Sequence, residues 1–295
     1  MKENFQSSPY EKEIILSEEE AENLAEELKT KLKEGEKPNA NQIKKLIGGL
    51  GDKRGLIRRT FSECLAEIGQ ASLPELQKAL LKSKNVIVRR AAAKTLKLVG
   101  DPKALNDLLF ALKNDPDPVV QGSSAGAIAI FGREAVQPLL EVLKDPKSSS
   151  MQCGLASWGL AFVGAEASED IKKAAKSKYP SVRAAAIAAM GEQIQSLNDK
   201  NSINVLIDSL NDSSTEVQIE AIKLMGSLDQ INWNINLIAE KLNDKNAEIR
   251  KQASLAIMKL NAKEEIIKLQ ERLSIEKNDN VIEVIKLSIK KLISI

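Results

Sequence analysis

A block of about 32 residues recurs through this chain, and a fixed period in that range marks a solenoid, which binds its partners along an extended face. Each copy ends in an amphipathic segment of the form apolar–Arg/Gln–x–x–small–x–x–x–apolar. The copies stand at Ile57-Arg58, Val88-Arg89, Val120-Gln121, Met151-Gln152, Val182-Arg183, Val217-Gln218, Ile249-Arg250 and, degraded, Ile282-Glu283. From Arg58 the steps are 31, 32, 31, 31, 35, 32 and 33 residues. Each unit resolves into two helices with no strand. The second helices are expected near 56–69, 86–100, 119–132, 150–164, 181–195, 215–228, 247–260 and 280–293. The sequence thus reads as an all-α, right-handed α-α superhelix: a HEAT-like solenoid of about eight helix pairs over 41–295. Residues 1–40 supply an N-terminal arm and a capping helix.

Residues 1–16 read as a mobile arm without a signal peptide's apolar stretch. Ser17-Glu18-Glu19-Glu20 has the form of a capping box opening a helix to about Glu34, stopped by Gly35. Leu24, Leu28 and Leu32 share one face of it. Gly35 to Ala40, with Pro38, links it to the array. Asp115-Pro116-Asp117-Pro118 is an intra-repeat turn in which Pro stops one helix and Asp caps the next. Asp145-Pro146, Asn211-Asp212 and Asn243-Asp244 occupy the same place. The 35-residue step implies a longer loop near Ser196 to Asn201.

Histidine is absent. That excludes His-based triads, His-ligated zinc and His general bases. The only two cysteines, Cys64 and Cys153, lie about three repeats apart and read as reduced thiols of a cytoplasmic protein. They are too few for an all-thiolate zinc site. The 43 basic and 41 acidic residues give a net charge of +2, so nothing draws the chain to nucleic acid. No apolar run approaches a membrane span.

Arg58, Arg89, Arg183 and Arg250 read as scaffold, pairing with acidic turn groups. Gln121, Gln152 and Gln218 remove that charge. The apolar residue before each Arg/Gln is expected to be buried, as are those three, four, seven and ten places after it. Residues one, two, five and nine places after it face a groove. In order these are Arg59, Thr60, Glu63 and Glu67; Arg90, Ala91, Lys94 and Leu98; Gly122, Ser123, Gly126 and Ile130. They continue as Cys153, Gly154, Ser157 and Ala161; Ala184, Ala185, Ala188 and Glu192; Ile219, Glu220, Lys223 and Ser227; Lys251, Gln252, Leu255 and Lys259.

The centre of this strip is small and nearly uncharged. Gly122, Gly126 and Gly154 each cost about 1 kcal/mol of helix stability relative to Ala. Small residues there either let helices approach closely or leave room for a bulky ligand, and both explanations stay open. Trp158 reads mainly as core, and Phe131 and Phe162 as core. Trp233 is either an edge contact or a packing lid. Cys64 reads as packed. Cys153 reads as a small groove residue, with a thiol that touches an electrophilic ligand as the alternative. Tyr179-Pro180 has a turn role, and Lys286, Lys290 and Lys291 lie on a solvated terminal face.

Three segments carry a resemblance to a known family. They are Gly51-Asp52-Lys53-Arg54-Gly55-Leu56-Ile57-Arg58-Arg59, Val88-Arg89-Arg90-Ala91-Ala92-Ala93-Lys94-Thr95-Leu96, and Asp115 to Gly132 followed by Met151-Gln152-Cys153-Gly154-Leu155-Ala156. Over 40–295 the chain resembles the HEAT-repeat E/F-type phycobilin lyases of cyanobacteria, most of all those acting on phycoerythrin. The resemblance implies a cytoplasmic lyase that attaches a linear tetrapyrrole, phycoerythrobilin, by a thioether bond to cysteine of a phycobiliprotein subunit. The bilin is then a substrate, and no cofactor is permanently bound. Partners are the client subunit, phycoerythrin, and room remains for a second lyase subunit. No catalytic residue carries over. Toward the bilin, Arg59, Arg90 and Lys94 suit the propionates and Glu63 the pyrrole N–H groups. Ser123, Gly126, Cys153, Ser157, Trp158 and Glu192 complete the candidate groove. Two other readings remain: a non-enzymatic scaffold or chaperone for a phycobiliprotein, and a bilin-detaching relative acting in phycobilisome turnover.

Overall fold

A computed structural model describes residues 16–35 and 38–294. They fall into two compact units, divided between Phe131 and Gly132. No strand occurs among the described residues.

The first unit opens with α1 (Glu18–Lys33). Its capping box forms as expected: Glu20 N–H donates to Ser17 Oγ at 3.2 Å, and Ser17 N–H to Glu20 Oε2 at 2.7 Å. Ala21 and Leu28 are buried, and Gly35 follows at φ +79°. The Leu32 side chain and, but for Leu16, the expected arm lie outside the described residues. Three helix pairs follow. They are α2 (Ala40–Gly49) with α3 (Gly55–Ile68), α4 (Leu73–Lys82) with α5 (Val86–Val99), and α6 (Leu105–Asn114) with α7 (Pro118–Ile128). The second helices pack in a row, α3 on α5 and α5 on α7. α7 starts on a cap and a proline: Asp117 accepts from Val119 and Val120 N–H at 3.0 and 2.9 Å, and Pro118 takes the first helical position, while Asn85 and Asn246 cap α5 and α16 without a proline.

The second unit holds five pairs. They are α8 (Arg133–Lys144) with α9 (Ser150–Val163), and α10 (Ser168–Ala174) with α11 (Pro180–Ala189), followed by the extra helix α12 (Gly191–Leu197). Then come α13 (Lys200–Asp208) with α14 (Thr215–Met225), α15 (Asn236–Ala239) with α16 (Ala247–Lys259), and α17 (Ile266–Ile275) with α18 (Asp279–Ser294). Again α9, α11, α14, α16 and α18 pack in a row. Two expectations are corrected here. The second helix of the fifth repeat does not run on to 195 but breaks at Met190. The extra residues of the long step form no long loop: they extend α12, which Asn198 closes at φ 47° before Asp199 caps α13.

The repeated Arg/Gln has one shared task. Arg58, Arg89, Arg183 and Arg250 each donate from Nη1 to the turn carbonyl six residues back, at 2.5, 3.1, 2.8 and 2.9 Å. Gln121 and Gln218 make the same bond from Nε2 at 2.7 and 2.6 Å. The guanidinium does more. Arg89 also grips both oxygens of Asp115, Arg183 those of Asp212, and Arg250 those of Glu276, at 2.6–3.1 Å. Each of those acids lies one repeat on, so Arg cross-links neighbours and Gln does not. Gln152 also closes a capping box, its Oε1 accepting from Ser149 N–H at 2.8 Å.

Glycines mark where helices come closest. A Cβ on Gly164 would meet the Ala189 carbonyl at 2.3 Å, and one on Gly226 would meet Ala256 at 2.8 Å. Trp233 is buried, its indole N–H donating to Leu228 O at 3.0 Å, which makes it a packing lid. Cys64 is buried as expected.

Arg250→Gln keeps the turn bond but gives up the grip on Glu276, whose side chain is fully buried. Arg272 still holds that carboxylate at 2.9 Å, so the loss should be about 2–3 kcal/mol, read as a lower urea midpoint. Acid should act on the same ladder. Arg90 beside Asp117 holds that carboxyl at about 2, and hydrogen bonds from Arg183 and Arg250 hold Asp212 and Glu276 low. Stability from depressed carboxylates is complete above their ordinary values near ~4 and is lost as pH falls through the folded ones. Urea midpoints should therefore be level from neutral pH to about 5 and drop steeply toward pH ~2. Gly164→Ala should destabilise by about 1–3 kcal/mol through overpacking. Gly154→Ala, whose Cβ meets nothing within 4 Å, should stabilise by about 0.5–1 kcal/mol; thermal melts compare the two.

Candidate functional site

The exposed faces of the second helices differ in chemistry between the two units. In the first unit, α3 presents Arg59 and Glu63 one turn apart, paired at 2.7 Å and both exposed. Such a surface pair is worth about 0–1 kcal/mol, so either partner is free to exchange. Arg90 is different. It donates twice to Asp117, at 3.0 and 2.7 Å, and Asp117 in turn caps α7. The expected propionate ligand is thus committed to the scaffold, a bond between residues 27 apart that no pattern within one repeat displays. Lys94 is exposed and has no ion pair among the described residues. Ser123 and Gly126 are half-buried on α7. Thr60 and Ala91, expected in the groove, are buried. The place two after the Arg turns into the neighbouring helix in these repeats.

In the second unit the same faces line an open cavity of about 490 Å³. One wall comes from the α8–α9 turn and α9: Leu143, Ser148, Ser150, Cys153, Gly154 and Ser157. The floor is α11, with Ser181, Ala184, Ala185 and Ala188, and the far wall is α14, with Glu216 and Glu220. Cys153 and Ser157 are therefore brought together as the sequence suggests. Ala184 and Ala185 are buried as floor rather than exposed. Gly154 decides between the two explanations of the small strip at this point. With open space where its Cβ would be, its smallness serves no helix contact and leaves room. Gly159, whose Cβ would meet Leu139 at 3.0 Å, serves packing.

Burial pushes the Cys153 thiol up, and the negative charge of Glu216 and Asp145 adds to it. A thiol so placed is not primed as a nucleophile. No group of three or more Cys, Asp or Glu among the described residues could hold a metal ion.

Other expected residues lie elsewhere. Trp158 is 53% exposed and Phe162 60%, their ring centroids 6.1 Å apart, so neither is core. The place six after the Arg/Gln takes Cys64, Thr95, Ala127 and Ala189 in other repeats, all buried; an indole exceeds that slot. Met151, on the same stripe of α9, is exposed too, unlike Val88, Val120, Val182, Val217 and Ile249. Phe131 is half-buried, because α7 ends at Ile128 and a tighter turn carries it off the helical register. Glu192 is exposed on α12, beyond the break after α11.

The sequence reading missed Ser150, Ser181 and Glu216 as cavity residues. All three stand two places before the Arg/Gln, which is the groove face carried one turn toward the helix N-terminus. Extending that face backward would have found them.

The family model for HEAT repeats matches residues 43–129, 73–157 and 203–290. The bilin biosynthesis protein MpeU of Synechococcus sp. (strain WH8020) is 40% identical over 218 residues, 73% of this chain and 73% of that protein. The uncharacterized phycocyanin operon protein Z of Pseudanabaena tenuis (strain PCC 7409) is 31% identical over 143 residues, 46% of this chain and 70% of that protein. Among solved structures, a mutant of Kap121p aligns with a TM-score of 0.61 at 13% identity, over 96% of this chain and 38% of that one, a likeness of fold alone. The helix pairs, the Arg/Gln ladder and the identity across nearly three quarters of both chains agree: this chain belongs to the HEAT-repeat family that includes the bilin biosynthesis protein MpeU.

Proposed function

We propose that this protein is a phycobilin lyase with a chaperone's hold on its substrate. It binds a linear tetrapyrrole, phycoerythrobilin, and delivers it to a cysteine of a phycobiliprotein subunit, a phycoerythrin chain, in the cytoplasm. The observation that carries the reading is the 40% identity to MpeU over 218 residues. The cavity supports it in kind: about 490 Å³ lies within the roughly 300–1,000 Å³ of small-molecule sites. No helix among the described residues is long and apolar enough to cross a membrane, and the reading requires none.

The chemistry asks little of acid–base groups. The client thiol adds across the bilin's exocyclic double bond: a C–S bond forms, the thiol proton ends on carbon, and nothing is oxidised or expelled. What a protein must add is position and facial selectivity, and holding both reactants in one geometry replaces a bimolecular encounter. A chain without histidine suits that task. Arg59 and Lys94 of the first unit remain as cations for acidic groups of the client.

Purified protein mixed with phycoerythrobilin should give a red-shifted or fluorescent bound chromophore. Co-expression with a phycoerythrin subunit and the bilin should load a client cysteine, mapped by mass spectrometry. Gly154→Trp, built into open space, should leave the thermal melt intact and weaken bilin binding at least about tenfold. Absence of any spectral change, with or without the client, would sink the proposal. Client binding without transfer would point to a scaffold, and release of bilin from loaded client to a detaching enzyme.

A further inference from the structure

The cavity of the second unit carries charge of one sign. Glu216 and Glu220 stand one turn apart on α14, and both line it. Glu220 pairs with Lys223 at 2.7 Å, where the lysine is largely exposed. Glu216 has no hydrogen bond or ion pair among the described residues and is exposed. From α9 the cavity receives Cys153, a neutral thiol, with Asp145 close enough to add to its shift. From α11 it receives Ser181 and alanines, with no charge. Behind α14, α16 bears Glu248 and Lys251, which pair with each other at 2.6 Å.

The cavity therefore offers an unpaired carboxylate above a floor of alanines. A ligand bringing N–H donors and positive charge supplies what is missing. A ligand presenting its carboxylates there would be repelled.

We infer that this cavity takes the linear tetrapyrrole by its pyrrole nitrogens, with Glu216 and Glu220 as positioning residues that hold the bound bilin in its protonated, cationic form. The inference rests on the functional reading above and assigns the orientation within it: nitrogens toward α14, propionates away from it. One imine nitrogen of a bilin titrates. A carboxylate at hydrogen-bond distance favours its protonated form, and protonation strengthens and red-shifts the visible band. The two carboxylates thereby sort ligands by donor pattern, and they keep the tetrapyrrole in one protonation state while the client thiol approaches.

The experiment is an absorption titration of phycoerythrobilin on the full-length protein from pH 5 to 10. It compares the wild-type chain, the double variant Glu216→Gln/Glu220→Gln, and Glu216→Asp. The wild-type complex should keep the protonated spectrum at pH values where the free bilin has lost it. The double variant should lose it about one pH unit or more lower and bind about tenfold more weakly. Glu216→Asp, which keeps the charge, should restore most of both. Circular dichroism melts check that all three fold alike. Binding with a titration indifferent to the double variant would overturn this inference and leave the functional reading standing. So would double-variant protein that binds bilin unchanged but fails to bind the client, which would make the acids a docking site for a basic segment. No spectral change even in the wild-type protein overturns the functional reading and this inference with it.

Discussion

One bond recurs through both units, and the rest of the architecture depends on it: a side-chain N–H donated to the turn carbonyl six residues back. A helix that ends at a tight turn leaves carbonyls without partners. Arg58, Arg89, Arg183 and Arg250 satisfy one such group in their repeats, and Gln121 and Gln218 do so in theirs. Because the bond spans the turn, it fixes the angle between the two helices of a pair. The guanidinium then has donors left over, and these fasten the pair to an acid one repeat on. Glutamine keeps only one further N–H and no charge. Its Oε1 at 121 and at 218 is buried without a partner, a small cost carried where charge has been removed from the ladder.

Much of this was legible in the sequence, for a reason the ladder makes plain. A period of about 32 residues with one polar residue at a constant place sets the helices, the turns and the register of each face. Seven of the eight second helices lie within a few residues of where periodicity puts them. What periodicity supplies is the direction of a side chain within its own helix. It does not supply the depth of the neighbouring surface. Thr60 and Ala91 point where they should, yet a neighbour covers them, whereas Trp158 points toward a slot that is too small for it. The role of Arg90 was hidden for a related reason. Its partner Asp117 reads as a helix cap and performs that task too, so nothing in the sequence announces the second bond.

Glycine shows the same limit most clearly. Gly154, Gly164 and Gly226 are one letter in one kind of repeat, and their neighbours give them opposite meanings. At Gly164 and Gly226 the next helix is already at contact distance, so a methyl group would collide with it. At Gly154 nothing lies within reach. The sequence offered both explanations of the small strip; at Gly154 smallness leaves room, while the close approaches fall on glycines outside the strip. The distinction depends on residues one or two repeats away, which no reading of a single helix contains.

The position of the ladder also explains how a helical stack keeps a cavity open. Emptying a helix face of large side chains removes the contacts that would hold neighbours at a fixed distance, and a face made of Gly, Ala and Ser would otherwise invite collapse. Here the spacing of α11 and α14 is braced at the turn, by Arg183 on Asp212, away from the faces that line the cavity. Relieved of that duty, the faces can be small. The same arrangement concentrates what charge remains. Ladder arginines are consumed by ladder acids, and Glu216, a carboxylate outside the ladder, has no ion pair among the described residues. An unpaired acid above an alanine floor is therefore a consequence of how the scaffold distributes its bonds, and it is the feature that gives the cavity its preference for a ligand rich in N–H groups.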